Sequence, residues 1–189
     1  MQTQAYRRNL PHIFPQNTPI FVTWRLKGSI PKSLIEAANR IKGSKAGKRF
    51  AFVDRGLDTN ASGPRWLADT RIAEMLCSEI ERGVTKPPIE YTLHEYVVMP
   101  NHVHMFITPC VPMSEIMQRL KGNSARFANE ILGRDARSFW QQESFDHFSR
   151  NAMEFEKIRR YIMQNPVKAG LAGKPEDWLW SSACRQRYK

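Results

Sequence analysis

The chain has 189 residues, 41% of them hydrophobic and 25% charged, a balance that suits one globular domain with a continuous core and excludes a disordered chain. Its 29 Lys and Arg against 18 Asp and Glu leave a net charge of +11, which calls for a polyanionic partner, either nucleic acid or an anionic membrane surface. No apolar run approaches the roughly 20 residues that cross a bilayer, so a membrane-spanning protein is not expected.

Residues 1–18 read as a basic arm; MQTQAYRRNLPHIF carries arginines but no apolar centre, which argues against a signal peptide. Pro19 to Lys27 (PIFVTWRLK), rich in β-branched and aromatic side chains, predicts the first strand. From Ile30 to Ser62 the pattern is mixed: a short helical stretch over Ser33–Ile41, a flexible cationic stretch over Lys42 to Arg49, and a polar run. This segment, 30–62, reads as an insertion. Trp66 to Arg82 spaces Leu67, Ile72, Met75, Leu76 and Ile80 as an amphipathic helix, with Gly83 as its stop. Ile89–Val98 and Val103–Thr108 predict two strands joined by the compact turn Met-Pro-Asn-His. Met113 to Leu132 predicts a second helix, followed by Gly133, and Ser138 to Phe148 a fourth strand. Asn151, with Glu154 three residues on, caps a final helix that Pro166 should end, leaving 171–189 as a tail. Strand, helix, strand, strand, helix, strand is the order of an α+β ferredoxin-like βαββαβ sandwich, here with one more helix behind it. One domain over 1–189 accommodates all of it.

Three groups of residues stand out for chemistry. His102 and His104 flank Val103 on a predicted strand, so period two sends both imidazoles to one side, about 7 Å apart along the backbone. They either converge on a metal ion or simply occupy a polar sheet face. Tyr161 and Asn165 are spaced i, i+4 on the last helix, on a face shared with Lys157, Ile158 and Lys168. Tyr161 is either a nucleophile whose phenolate nearby cations favour, or a half-buried ring at a helix interface. The third group is basic: Arg119, Lys121 and Arg126 on the second helix, and Lys157, Arg159, Arg160 and Lys168 on the third. With Trp24, Trp66, Phe127, Trp140, Phe145 and Phe148 interleaved, these are the cations and rings that a single-strand binding surface uses, although most of the rings suit a core. His94 reads as a packing or hydrogen-bonding histidine, and Asp146 and His147 as structural or DNA-contacting residues on opposite faces. Cys77, Cys110 and Cys184 form no C-x-x-C pair and suit reduced thiols in a cytoplasmic protein with activity at the nucleoid. No Gly-rich phosphate loop is present, so no nucleotide cofactor is expected.

YVVMPNHVHMFITP, followed by FWQQESFDHFSRN, RRYIMQNPVKAGLA and DWLWSSA, resembles the REP-associated tyrosine transposases, relatives of the single-tyrosine insertion-sequence transposases in the HUH nuclease superfamily. The likeness runs from about Arg8 to Ser182, apart from 30–62. It implies that His102 and His104 bind Mg²⁺ or Mn²⁺ with Asn165 as third ligand, and that Tyr161 attacks a DNA phosphate and stays linked to the 5′ side of the break. It further implies single-stranded hairpins of repetitive extragenic palindromes as substrate, and either a monomer or a homodimer. Two neutral imidazoles and an amide oxygen would leave the ion its full charge and open positions for phosphate and water. Two rival readings remain, a catalytically silent single-strand DNA-binding protein and a relaxase-type nickase of the same superfamily, and NPVKAG favours the transposase over the nickase.

Overall fold

Alternation along the strands sets the architecture. The structure, a computed structural model, describes residues 3–7, 11–15, 17–41, 46–59, 63–135 and 137–185. In chain order the elements are strands β1 (Thr3–Arg7), β2 (Pro11–Pro15) and β3 (Ile20–Arg25), helices α1 (Lys32–Asn39), α2 (Ala46–Thr59) and α3 (Thr70–Thr85), then strands β4 (Tyr91–Val98) and β5 (His102–Pro109). Helix α4 (Met113–Ile131), strand β6 (Phe145–Phe148), helix α5 (Ala152–Lys168) and the short helix α6 (Ser182–Arg185) complete them. The main sheet is antiparallel in the order β4-β5-β3-β6, so the first and third strands of the sandwich sit in the middle, as a ferredoxin-like fold requires.

Ile20, Val22 and Trp24 on β3 and Val103, Met105 and Ile107 on β5 point to one face, where Leu76 and Ile80 of α3 and Ile116 and Leu120 of α4 cover them. Each of these aliphatic side chains contributes roughly 1.5–3 kcal/mol by leaving water. The alternate residues Phe21, Val97 and Phe106 face the other way and meet Ile158 and Ile162 of α5 in a second, smaller core. The sheet therefore separates α3 and α4 from α5. His102 and His104 lie on the α5 side, opposite Val103.

Several sequence expectations need correction. The N-terminal arm contains a two-stranded antiparallel ladder, β1 with β2. Within 30–62 the cationic stretch Lys42 to Arg49 does not stay irregular throughout: residues 42–45 lie outside the described set, but Ala46–Arg49 open α2, whose buried face carries Asp54 and Leu57. Helix α3 does not stop at Gly83 but runs to Thr85. The glycine serves close packing, since a Cβ there would meet the Tyr91 ring at 2.4 Å, and Tyr91 donates to the Ile80 carbonyl at 2.6 Å. The fourth strand is shorter than 138–148. Only Phe145–Phe148 pairs regularly with β3, while Gln141 N donates to Arg25 O and the Lys121 ammonium ties up the carbonyls of Gln141 and Gln142.

Helix α5 starts where expected, with the Asn151 side chain accepting from Glu154 N at 2.9 Å, but it continues past Pro166. Proline removes one ladder bond and crowds the carbonyl four residues back, but two residues from the end of α5 only the last turn is affected. The final turn is closed instead by Ala169 N to Asn165 O and Leu171 N to Pro166 O. Asn165 thus stays helical and keeps its face in common with Tyr161. Beyond it, the C-terminal segment covers edge strand β4: Val98 N donates to Trp180 O and Trp178 Nε1 to Val98 O.

Candidate metal and nucleophile site

Three separate elements deliver side chains to one buried point. Strand β5 brings His102 and His104, whose Nε2 atoms lie 3.1 Å apart with neither ring exposed to solvent. Helix α5 brings Asn165, 3.3 Å from His104 Nε2. Helix α2 brings Asp54, its Oδ1 3.3 Å from His104 Nε2 and 4.0 Å from His102 Nε2. Ligand atoms of Asp54, His102 and His104 all fall within 4.8 Å of one another. Asp58, one turn further along α2, places Oδ1 4.0 Å from His102 Nε2.

The surrounding hydrogen bonds leave the inward-facing nitrogens free for a cation. Asn101 donates its amide to the Leu57 carbonyl at 2.9 Å, which orients its Oδ1 toward His102 Nδ1 at 2.7 Å. That carbonyl oxygen only accepts, so His102 carries its proton on Nδ1 and its Nε2 is a bare lone pair. The Thr23 hydroxyl sits 2.7 Å from His104 Nδ1 and can accept in the same sense. Meanwhile Asp54 Oδ1, Asp58 Oδ1 and Asn165 Oδ1 are buried without a hydrogen-bond partner among the described residues. Buried oxygens without donors are costly. A divalent cation satisfies them, and a half-turn of the Asn165 amide exchanges its oxygen into the position facing His104. Imidazole, carboxylate and amide oxygen together suit a divalent metal ion.

Electrostatics agree with a cation-binding set. Burial, and then the neighbouring Asp58 charge, push Asp54 up to about 8, with Lys168 pulling it back. Burial raises Asp58 to about 6 against the same lysine. Burial lowers His102 to about 3, while burial and then His102 hold His104 well below the ordinary imidazole range. Without a cation, two neutral imidazoles face carboxyls that resist ionisation; a bound cation reverses that preference for both carboxyls.

Tyr161 lies beside this cluster. Its ring centroid is 5.6 Å from that of His104 and 6.0 Å from that of Phe21, and the Lys168 ammonium lies 5.1 Å from its own centroid. The ring is half-buried against the smaller core and also borders an open cleft of about 820 Å³ that Phe50, Phe145, Lys157, Arg160 and Lys168 help line. The ring thus packs at the helix interface, as one sequence reading expected, and also borders the cleft.

Of the basic residues singled out in the sequence, Lys157, Arg160 and Lys168 gather here. The others do not. Arg119 sits with α4 on the far side of the sheet, where it bonds Glu90 at 2.8 Å and Glu79 at 2.9 Å. Lys121 holds the two carbonyls named above, and Arg126 is exposed on the same helix α4. Arg159 turns inward to the buried Glu95, donating from Nε and Nη2 at 3.1 and 2.9 Å. Among the aromatics, Trp24 and Trp140 are core, Phe127 is exposed, and Phe145 lines the cleft. His94 bonds Thr108 and His147 bonds Glu154. Asp54 and Asp58 were missed in the sequence because α2 was not recognised; the signal available was two aspartates four residues apart in line with Phe50, Val53 and Leu57.

A ferredoxin-like sheet with a buried histidine pair beneath a helix-borne tyrosine defines a class, and the chain belongs to the IS200-like transposase family, whose description "Transposase IS200 like" matches residues 70–165, just over half of its length. A REP-associated tyrosine transposase of Escherichia coli (strain K12) is 25% identical over 92 residues, 49% of this chain and 54% of that protein. The chain therefore matches about half the length of that curated relative. A solved structure described as the REP-associated tyrosine transposase bound to a REP hairpin aligns with a TM-score of 0.59 over 97% of this chain and 85% of that one, at 20% identity, which establishes the shared fold. His102, His104, Tyr161 and Asn165 fall inside the family-matched stretch, whereas Asp54 and Asp58 precede it. Among the described residues, no helix is long and apolar enough to cross a membrane.

Proposed function

We propose that the protein is a metal-dependent single-strand DNA endonuclease and strand transferase that acts on palindromic, REP-like hairpins through a 5′-phosphotyrosine intermediate. The observation that carries this reading is the half-buried Tyr161 ring beside the buried cluster of His102, His104 and Asn165. In this reading His102, His104, Asn165 and Asp54 hold Mg²⁺ or Mn²⁺. The bound ion would polarise a non-bridging phosphate oxygen and offset charge in the displacement.

The chain's own residues supply the rest. Tyr161 Oη forms the new bond to phosphorus as the bond to the 3′ oxygen breaks; the phenolic proton passes to water and the departing 3′ oxygen takes one up. Lys168, 5.1 Å from the centre of the Tyr161 ring, adds a positive charge beside the nucleophile. The phosphotyrosine ester retains the energy of the broken linkage, so a second 3′ end can rejoin it without a nucleotide cofactor. The hairpin as substrate is supported by the solved relative, which is bound to one.

The test is incubation with labelled single-stranded hairpins and Mn²⁺, followed by denaturing electrophoresis. The wild type should give a covalent protein–DNA band and Tyr161→Phe should give none while still binding. A band from the Phe variant removes Tyr161 from the chemistry. Binding without any band in the wild type favours the silent DNA-binding reading.

A further inference from the structure

The cleft beside Tyr161 has a lining that a phosphate alone does not require. Phe50 of α2 and Phe145 of β6 stack with centroids 4.0 Å apart and planes 22° apart, and both stand edge-on to Phe21 beneath. Phe50 also approaches the Tyr161 ring at 6.3 Å. The volume of about 820 Å³ falls within the roughly 300–1,000 Å³ of small-molecule clefts.

Charge at the rim is unevenly spent. The acids there are already engaged: Glu154 accepts from His147 and Arg150 N, and Glu156 from Arg159. By contrast, Lys157 and Arg160 border the cleft with no ion pair or hydrogen bond among the described residues. Gln164 also lines it, with its amide donor and acceptor unengaged among those residues. An apolar aromatic floor under free cations and an open amide is complementary to an unpaired nucleotide, and poorly suited to an apolar protein segment or to a purely anionic ligand.

We infer that this cleft is a nucleobase subsite: an unpaired base next to the scissile phosphate stacks on the Phe145–Phe50 pair while Lys157 and Arg160 hold the flanking phosphates. The inference rests on the strand-transfer reading for which nucleotide arrives there, but occupancy itself is measurable without cleavage. Stacking is tolerant of base identity because every base has a π face, and Gln164 is placed to discriminate by hydrogen bonding to the base edge.

The experiment compares oligothymidylate with an abasic oligomer of the same length, binding to the full chain in EDTA, by fluorescence anisotropy. Wild type should prefer the base-bearing strand by about 5- to 150-fold for each base stacked. Phe145→Leu keeps apolar bulk but removes the π face, so it should shrink that preference several-fold and leave the abasic affinity unchanged; Phe145→Trp should keep the preference. Equal wild-type affinity for the two strands, or an undiminished preference in Phe145→Leu, overturns the subsite. The hairpin adduct assay separates the two claims: an adduct without base preference sinks the subsite alone, and a base preference without an adduct sustains the subsite while sinking strand transfer.

Discussion

Asp54 Oδ1 lies 3.3 Å from His104 Nε2 although a helix and a strand, α3 and β4, intervene in the sequence. Asn101 explains how the contact is held. Its amide bonds the Leu57 carbonyl of α2 on one side and His102 Nδ1 on the other, so the turn that leads into β5 also anchors the helix that supplies the carboxylate. The candidate metal site is thereby shared between a segment outside the family-matched stretch and the histidine pair inside it.

Replacing Asp54 should therefore weaken metal binding. Asp54→Ala is expected to reduce Mn²⁺ affinity at least tenfold in calorimetry, and Asn101→Ala, which frees both His102 and α2, by about 10- to 100-fold, as is usual for groups that orient a ligand. Circular dichroism should show both variants folded. Unchanged Mn²⁺ affinity in Asp54→Ala would restrict the ligand set to His102, His104 and Asn165.

Without metal, the same residue makes stability depend on pH. The folded state holds the Asp54 carboxyl near 8 against an ordinary 3.8, so the proton is retained in the fold while the unfolded chain has lost it. Stability from this group is complete below about pH 4, declines as pH rises, and is fully lost above about 8. Asp54→Asn removes the dependence. In EDTA its Tm relative to wild type should rise between pH 4 and pH 8. Saturating Mn²⁺ should narrow that difference at pH 8, because at 100 times Kd a ligand adds about 2.7 kcal/mol to the state that binds it. A Tm difference in EDTA that stays flat with pH would mean that Asp54 ionises normally.

The parts of the site that were legible in the sequence are those governed by local periodicity. Period two placed His102 and His104 on one face, and the i, i+4 spacing placed Tyr161 with Asn165; neither depends on what the elements pack against. Which cations are paired within the protein was not legible. Arg119 and Arg159 carry the same charge as Arg160, but the first two face acids on neighbouring elements, Glu79 and Glu90 for one and Glu95 for the other. Only the tertiary arrangement shows those partners. Gly83 shows the same limit. A glycine near a helix end suggests a stop, yet here the Tyr91 ring from β4 occupies the space a side chain would need.

That close approach gives a stability prediction. Gly83→Ala improves helix propensity by about 1 kcal/mol in isolation. In this fold the added Cβ would sit 2.4 Å from the Tyr91 ring, which is itself fully buried and held by Ile80. Overpacking of a tight core typically costs 1–3 kcal/mol, so a net loss is expected in urea unfolding. Pairing it with Tyr91→Leu should recover part of the loss. A single Gly83→Ala variant more stable than wild type would mean that α3 and β4 separate easily at this point.

Salt dependence of binding to a single-stranded hairpin separates cations that neutralise phosphate from cations engaged within the protein. Each phosphate neutralised on a single strand contributes about −0.7 to the slope of log K against log salt. Lys157 and Arg160 border the Tyr161 cleft with no partner of their own among the described residues, so Lys157→Ala and Arg160→Ala should each make the slope shallower by about that amount. Arg119 and Lys121 belong to α4, which the sheet separates from α5, and both are engaged within the protein. Arg119→Ala should cost roughly 1–3 kcal/mol of stability through its lost bonds to Glu79 and Glu90, which keep Asn123 and Arg82 as donors, yet leave the slope unchanged. Lys121→Ala should likewise leave it unchanged, as should Arg126→Ala on the same helix. Titrating a labelled single-stranded hairpin at several salt concentrations, with metal withheld to prevent cleavage, reads all five variants. A shallower slope in Arg119→Ala with none in Arg160→Ala would move the DNA path to the α4 side of the sheet, away from Tyr161, and would separate the bound strand from the proposed nucleophile.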